Sequence, residues 1–354
     1  MLETLIDTYG DGAVLAMAGA LVGVIFGAAA QHSRFCLRAA TIEVAERGLG
    51  PRLSIWIIAF SAGVLAVQGA IAMGVLDVSQ SRQLASTGSM SGAIVGGLMF
   101  GAGMILARGC ASRLLVLSAT GNLRALVTGL VLTIVAQSAL RGVLSPAREG
   151  LATLWLVPGG AARSILSHLG MTPLVAAGIA ALVLIAGFAL ALARHVRLSH
   201  AIAGMGVGLA VGLGWLVTYM IAQTSFEVIP ISSVTFTGPS TDTLMGLVNS
   251  TSLPLSFGAG LVPGVFAGAA AMALITREWK IERFGPDTPM ERYLLGAALM
   301  GFGSMLAGGC AVGAGMSGGA IFALTAWVAV TAMWIGAMAT HLMLGRNAAL
   351  VPTT

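Results

Sequence analysis

The chain has 354 residues, of which 57% are hydrophobic and only 9% are Asp, Glu, Lys or Arg. Because soluble domains carry about 25% charged residues, this composition excludes a soluble enzyme, a disordered chain and a secreted disulfide scaffold. The 18 Lys and Arg outnumber the 13 Asp and Glu. No basic cluster is interleaved with aromatic residues, so nucleic acid is not an expected partner. The composition predicts an all-α polytopic integral membrane protein in contact with lipid.

Apolar stretches of about 20 residues, long enough to cross a bilayer as a helix, recur along the chain. The first is predicted to be retained in the mature protein, because the acidic segment before it lacks the basic region of a signal peptide. Nine spans are predicted in all, at 12–30, 53–77, 91–107, 122–140, 173–193, 200–222, 256–276, 290–307 and 322–343.

Basic residues are distributed unevenly between these spans. The C-terminal tail and the segments after spans one, three, five and seven hold 12 of the 18 Lys and Arg, and Arg124 and Arg292, at the adjoining starts of spans four and eight, bring the number on this side to 14. Since basic residues accumulate on the cytoplasmic side of a membrane, the N-terminus is predicted to lie outside and the C-terminus in the cytoplasm.

An internal repeat links the third and eighth spans. Residues 96–111, GGLMFGAGMILARGCA, align without a gap on residues 296–311, GAALMGFGSMLAGGCA. The chain is therefore interpreted as a single transport domain, 1–354, with repeat halves at about 12–145 and 200–345 and a connector at about 146–199. Equivalent spans lie five apart, an odd number, so the second half is expected to be inverted, as in many transporters.

The segments after the two Gly-Cys pairs are apolar but too short to span a membrane. Each is interpreted as a glycine turn, at Gly109 or Gly309, followed by a re-entrant half-helix that starts near Cys110 or Cys310. The N-termini of such half-helices direct backbone N–H groups and positive dipole at the point where they converge, which favours an anion.

A third cysteine, Cys36, lies after the first span in a segment that reads as a short amphipathic helix. Its counterpart in the second half, expected around 221–226, offers no cysteine. The topology predicts a line of thiols with Cys310 outermost, Cys110 in the middle and Cys36 innermost. Thiols are weak donors and soft acceptors, so a permeating anion with a terminal sulfur can exchange S–H···S contacts along this line.

Each of these features also has a purely structural interpretation. Buried cysteines are often small packing residues, and arginines near spans often only determine topology. Arg108 and Arg113 flank Cys110, however, and an arginine near membrane depth is a candidate functional residue. The Ser- and Thr-rich segment 223–244 reads equally well as an entry vestibule or as an ordinary exposed loop. The five histidines show no metal-ligand spacing, so no metal or cofactor is predicted.

Three motifs, SRFCLRAA, ARGCASRLLVLSATGNLRAL and GFGSMLAGGCAVGAGMSGGA, resemble the cysteine motifs of the YeeE/YedE sulfur-transport family. The resemblance implies an hourglass of nine membrane helices in the bacterial inner membrane that takes up thiosulfate. It also implies that Cys36, Cys110 and Cys310 relay the anion. A small cytoplasmic sulfur carrier of the TusA type is an implied partner. Family motifs often have Gly where this chain has Arg34 and Arg108.

Other functions remain open at this point. A selenium compound or another sulfur oxyanion would suit the same fold. A copper(I) transporter would use Cys and Met as soft ligands, but the flanking arginines disfavour a cation. A membrane-embedded thiol enzyme is also conceivable, although no histidine lies near Cys110 or Cys310 in the sequence to lower the pKa of the thiol. The favoured prediction is a thiosulfate permease without enzymatic activity.

Overall fold

The computed structural model describes residues 2–249, 254–283 and 289–349 and is 77% helical. Within these residues, nine helices are long and apolar enough to cross a membrane, which confirms the predicted all-α polytopic class. They are α2 (Asp11–Ser33), α4 (Pro51–Ala72), α6 (Met90–Leu106), α8 (Leu123–Arg141), α11 (Pro173–Ala193), α12 (Leu198–Thr224), α14 (Phe257–Ile275), α15 (Met290–Ala307) and α16 (Leu324–Ala349).

Shorter elements connect the spans or follow them. Two of them are short strands, Gly88–Ser89 and Leu156–Val157, which pair antiparallel. The short elements are α1 (Leu2–Tyr9), α3 (Leu37–Ala45), α5 (Arg82–Ala85), β1 (Gly88–Ser89), α7 (Ala111–Ala119), α9 (Ser145–Ala152), β2 (Leu156–Val157), a 3₁₀ helix (Gly160–Arg163), α10 (Ile165–Leu169), α13 (Thr237–Asn249) and a π-helix (Ala311–Gly318).

Glycine seams let the long helices approach each other at backbone distance, as is usual for helix packing in membranes. A Cβ at Gly260 on α14 would lie 1.8 Å from the carbonyl oxygen of Ala16 on α2. Further along the same pair, Gly23 meets Leu261 and Gly27 meets Val265, so α2 and α14 run parallel. These contacts require glycine because any side chain would separate the two backbones.

The helix pairs recur with the two halves exchanged. α2 packs on α14, and their equivalents in the other half, α12 and α4, pack on each other in the same way. Likewise, α6 packs on α16, and their equivalents, α15 and α8, pack on each other. In the central pair, Gly96 of α6 faces Ala307 of α15 while Gly103 faces Gly296, so these equivalent helices run antiparallel. This direction is the one that an inverted repeat requires. The boundaries of the halves, at 12–145 and 200–345, stay a prediction.

The connecting segments sort onto two faces of the bundle. On one face, Arg34 after α2 contacts Glu278 after α14, and Asn122 before α8 pairs with Glu282. On the other face, Arg163 donates a hydrogen bond to the carbonyl of Ser86. The first face contains segments that the distribution of Lys and Arg assigns to the same side of the membrane, such as those after α2 and α14. We call it the arginine-rich face.

Glycine replacement in the α2–α14 seam is expected to destabilise the protein strongly. Gly260→Ala would place its Cβ against the Ala16 carbonyl, and overpacking of this kind costs about 1–3 kcal/mol or more. The midpoint of thermal unfolding of the purified protein in detergent measures the effect. Gly178→Ala on α11 is the control, because no atom lies within 4 Å of the added methyl group. Equal unfolding midpoints for the two variants would contradict this packing.

Candidate functional site

Each of the three cysteines occupies the N-cap of a short helix. Cys36 precedes α3, Cys110 precedes α7 and Cys310 precedes the π-helix, and all three have extended backbone conformations. The predicted short helices are therefore present at the expected positions. Since the first N–H groups of a helix lack intrahelical acceptors, each cysteine stands beside a patch of backbone donors.

Cys110 is the cysteine predicted to lie in the middle of the thiol line. It is buried, and its Sγ lies 3.3 Å from Oγ of Ser112, the second residue of the half-helix. Both Cys36 and Cys310 lie within electrostatic range of this thiol. The α7 half-helix also contacts the π-helix that carries Cys310, so the two re-entrant segments meet inside the bundle.

Cys310 is also buried, and backbone and hydroxyl groups surround it. The N–H of Gly313 donates to its Sγ at 3.4 Å. A Cβ on Gly313 would lie 2.2 Å from Oγ1 of Thr235, so the irregular segment before α13 packs directly over the start of the π-helix. Ser317 strengthens this junction by donating a 2.6 Å hydrogen bond to the carbonyl of Val234.

The second half contains a counterpart of the Cys36 helix. α13 starts at Thr237, 200 positions after Leu37, and Phe236 stands where Cys36 stands in the first half. Phe236 is buried and its ring centroid lies 5.2 Å from that of Phe26. The sequence-based expectation of a counterpart around 221–226 was wrong, because residues 225–236 form an irregular segment that delays the start of the helix.

The predicted glycine turns differ from the observed ones in detail. The left-handed residues are Arg108, with φ 55°, and Gly308, with φ 79°, each one position before the predicted glycine. A Cβ on Gly109 would meet Leu114 at 3.4 Å, which is an ordinary contact, whereas a Cβ on Gly309 would lie 2.9 Å from a backbone nitrogen. Arg108 therefore occupies a conformation that favours glycine and that costs an arginine roughly 1–2 kcal/mol.

Arg113 is the third residue of α7 and extends from its first turn into the protein interior. Its side chain is half-buried, and its Nη1 atom is buried without a hydrogen-bond partner among the described residues. Cys36, Cys110 and Arg34 lie within electrostatic range of it. A buried cationic nitrogen without an acceptor is costly at membrane depth, so this group is suited to a bound anion.

Arg34 differs from Arg113 because it already has a carboxylate partner. Its Nη2 lies 2.8 Å from Oε1 of Glu278, and Gln31 donates to the other carboxylate oxygen at 3.0 Å. The hydrogen bond from Arg34 lowers the pKa of Glu278 below its ordinary value. Arg34 also has a positive φ of 54°, in the left-handed region that favours glycine. It joins the segments after α2 and α14 at the arginine-rich face.

Several polar residues at the site carry no sequence motif. α7 carries Ser112, the π-helix carries Ser317, and the segment before α13 carries Thr235. A single Ser or Thr in a sequence does not by itself mark a site residue. The sequence alone did not decide whether segment 223–244 is an entry vestibule or an ordinary exposed loop. In the structure its residues Val234 and Phe236 are buried. An extension of the 200-residue offset beyond 296–311 would have aligned Cys36 with Phe236 and indicated this segment.

Broken helices whose N-termini carry buried thiols, within a bundle of antiparallel equivalent helices, are features of a membrane transporter. The family model described as Sulphur transport matches residues 32–339. The chain belongs to this family, which confirms the resemblance, and it is a transporter rather than an enzyme.

Two relatives extend over almost the same length. A thiosulfate transporter, TsuA, of Spirochaeta thermophila is 26% identical over 329 residues, which cover 88% of this chain and 93% of the relative. The TsuA thiosulfate transporter of Escherichia coli K12 is 24% identical over 337 residues, which cover 90% and 92%. The similarity therefore extends beyond the cysteine motifs to nearly the whole chain.

Proposed function

We propose that this protein imports thiosulfate through a line of cysteine thiols. The observation that carries the proposal is the position of Cys36, Cys110 and Cys310 at the N-caps of three short helices, two of which, α7 and the π-helix, contact each other inside the bundle. The names of both relatives support thiosulfate as the anion, and family membership favours a sulfur anion over copper(I).

Anion transfer through the bundle requires that favourable contacts replace water. A bare dianion in hydrocarbon faces a desolvation cost of tens of kcal/mol. The half-helix N-termini supply N–H groups and positive dipole, and Arg113 supplies a formal charge beside the central thiol. The terminal sulfur of thiosulfate accepts from one S–H and then the next. Because each contact is weak, the anion enters and leaves without a deep trap.

The direction of movement follows from the predicted topology. With the N-terminus outside and the C-terminus in the cytoplasm, Cys310 receives the anion from outside, Cys110 holds it centrally and Cys36 passes it inward. The predicted repeat halves, 12–145 and 200–345, then supply one Gly-Cys half-helix each. We place the protein in the inner membrane, surrounded by lipid, with a cytoplasmic TusA-like carrier as a candidate acceptor of the released sulfur.

Growth on defined sulfur sources tests the proposed substrate. Bacteria that lack their own thiosulfate and sulfate uptake systems are expected to grow on thiosulfate when they express this protein, and not when they express Cys110→Ser/Cys310→Ser. Parallel cultures on sulfite and sensitivity to selenite test the alternative anions of the same family. Growth of the double variant equal to the parent would contradict the role of the thiols.

A further inference from the structure

A second basic site lies on the arginine-rich face, beside the cysteine line. A cavity of about 220 Å³ opens between the start of α15, the ends of α6 and α16, and α3. Its lining includes Arg38, Arg108, Arg292, Tyr293 and His341. Among the residues that the structure describes, no carboxylate lines it directly, and the carboxylate of Glu46 lies behind the lining residue His341, with its Oε1 3.1 Å from the His341 Nε2. Since one water occupies about 30 Å³ in the liquid, the cavity has room for a small oxyanion with part of its hydration shell.

Several cations converge on one aromatic ring in this cavity. Tyr293 is buried, the guanidinium of Arg108 lies 6.0 Å from its ring centroid and that of Arg124 lies 4.9 Å away. Nη1 of Arg124 donates to the Tyr293 hydroxyl at 3.1 Å, so that hydroxyl keeps its own proton for another acceptor. The ring therefore holds guanidinium groups near one another and adds an O–H donor.

Arg38 connects the cavity to the thiols. It lies two residues after Cys36 on α3, within electrostatic range of both Cys36 and Arg108. Its Nε atom is buried without a hydrogen-bond partner among the described residues. Like charges held this close repel each other, so the arrangement favours an anion that accepts from several donors at once.

We infer that this cavity binds an oxyanion, either the transported sulfur anion after it leaves Cys36 or the phosphate of an anionic lipid. The chemistry shared by both is a set of tetrahedral oxygens that accept from Arg38, Arg108, Arg292 and Tyr293. As an exit site for the transported anion, this inference rests on the proposed function. As an oxyanion site, it stands on the cavity alone.

Sulfate is the probe that separates this cavity from the thiol line, because sulfate has no terminal sulfur to accept an S–H contact. Equilibrium binding of [³⁵S]sulfate to the purified full chain in uncharged detergent is expected to weaken about tenfold or more in Arg108→Gln and in Arg292→Gln. The Cys110→Ser variant is expected to bind sulfate as the parent does, because it changes only a thiol contact that sulfate does not make. Failure of thiosulfate transport would therefore leave this result unaffected.

Arg277→Gln is the matched control, because Arg277 also has a left-handed backbone, with φ 58°, and does not line the cavity. It is expected to bind sulfate like the parent. In nanodiscs, weaker sulfate binding with phosphatidylglycerol than with phosphatidylcholine would assign the site to lipid phosphate, and equal binding to the free anion. The same sulfate affinity in Arg108→Gln, Arg292→Gln and the parent, together with no effect of phosphatidylglycerol, would overturn the inference.

Discussion

Cells that express Cys110→Ser are expected to take up thiosulfate at least about tenfold more slowly than cells that express the parent protein. The replacement exchanges the thiol for a hydroxyl donor of slightly smaller volume, so a hydrogen bond with Ser112 remains possible. It removes the soft, polarisable sulfur at the centre of the thiol line. A tenfold loss corresponds to about 1.4 kcal/mol, the range of one favourable contact in the transition state for transfer.

Initial uptake rates of [³⁵S]thiosulfate, normalised to the amount of protein in the membrane, measure this effect. Ser304→Ala is the control, because Ser304 is buried in α15 and donates only to the carbonyl of Gly301 within its own helix. It is expected to transport at close to the parental rate. A parental rate in Cys110→Ser would show that the central thiol takes no part in transfer.

Arg113→Gln is expected to produce the second large effect, a loss of uptake of about tenfold or more. The guanidinium carries the formal positive charge beside Cys110, and its buried Nη1 lacks an acceptor among the described residues. Glutamine keeps hydrogen-bond donors but removes the charge that offsets the desolvation of a dianion. Because a structural role would be satisfied by glutamine, the charge-dependent part of the effect identifies anion binding.

Arg113→Lys separates charge from shape and is expected to restore part of the uptake, since it keeps a cation without the planar fork. Arg194→Gln is the control, because Arg194 is an exposed arginine at the end of α11. Uptake and unfolding temperature are measured together for all three variants. Full uptake in Arg113→Gln, at an unfolding temperature equal to that of the parent, would exclude a substrate-binding role for this arginine.

Much of the fold follows from the sequence because bilayer thickness limits the length of apolar helices. The predicted spans coincide with the nine long helices within a few residues, and the Gly-Cys repeat locates both half-helices. The relative direction of α6 and α15 also follows, because an odd offset between equivalent spans makes them antiparallel. Length, periodicity and a repeated motif are all properties of the chain itself.

The details of the site were less predictable because they depend on contacts between distant segments. Thr235 lies over Gly313 only because residues 225–236 form an irregular segment before α13, and hydrophobicity does not encode that conformation. The left-handed turn at Arg108 was placed at Gly109, since glycine is the residue that normally marks it. The basic cavity joins Arg38 from α3, Arg292 from α15 and Arg108 from the turn after α6, a proximity that no spacing reveals.

The measurement that tests the thiol line most directly is thiosulfate uptake by proteoliposomes that contain only this purified protein. The account predicts uptake of [³⁵S]thiosulfate by the parent and uptake close to the protein-free background by Cys36→Ser/Cys110→Ser/Cys310→Ser. An excess of unlabelled thiosulfate is expected to abolish the parental signal. Uptake by the triple serine variant at the parental rate, from vesicles with equal protein content, would contradict the account.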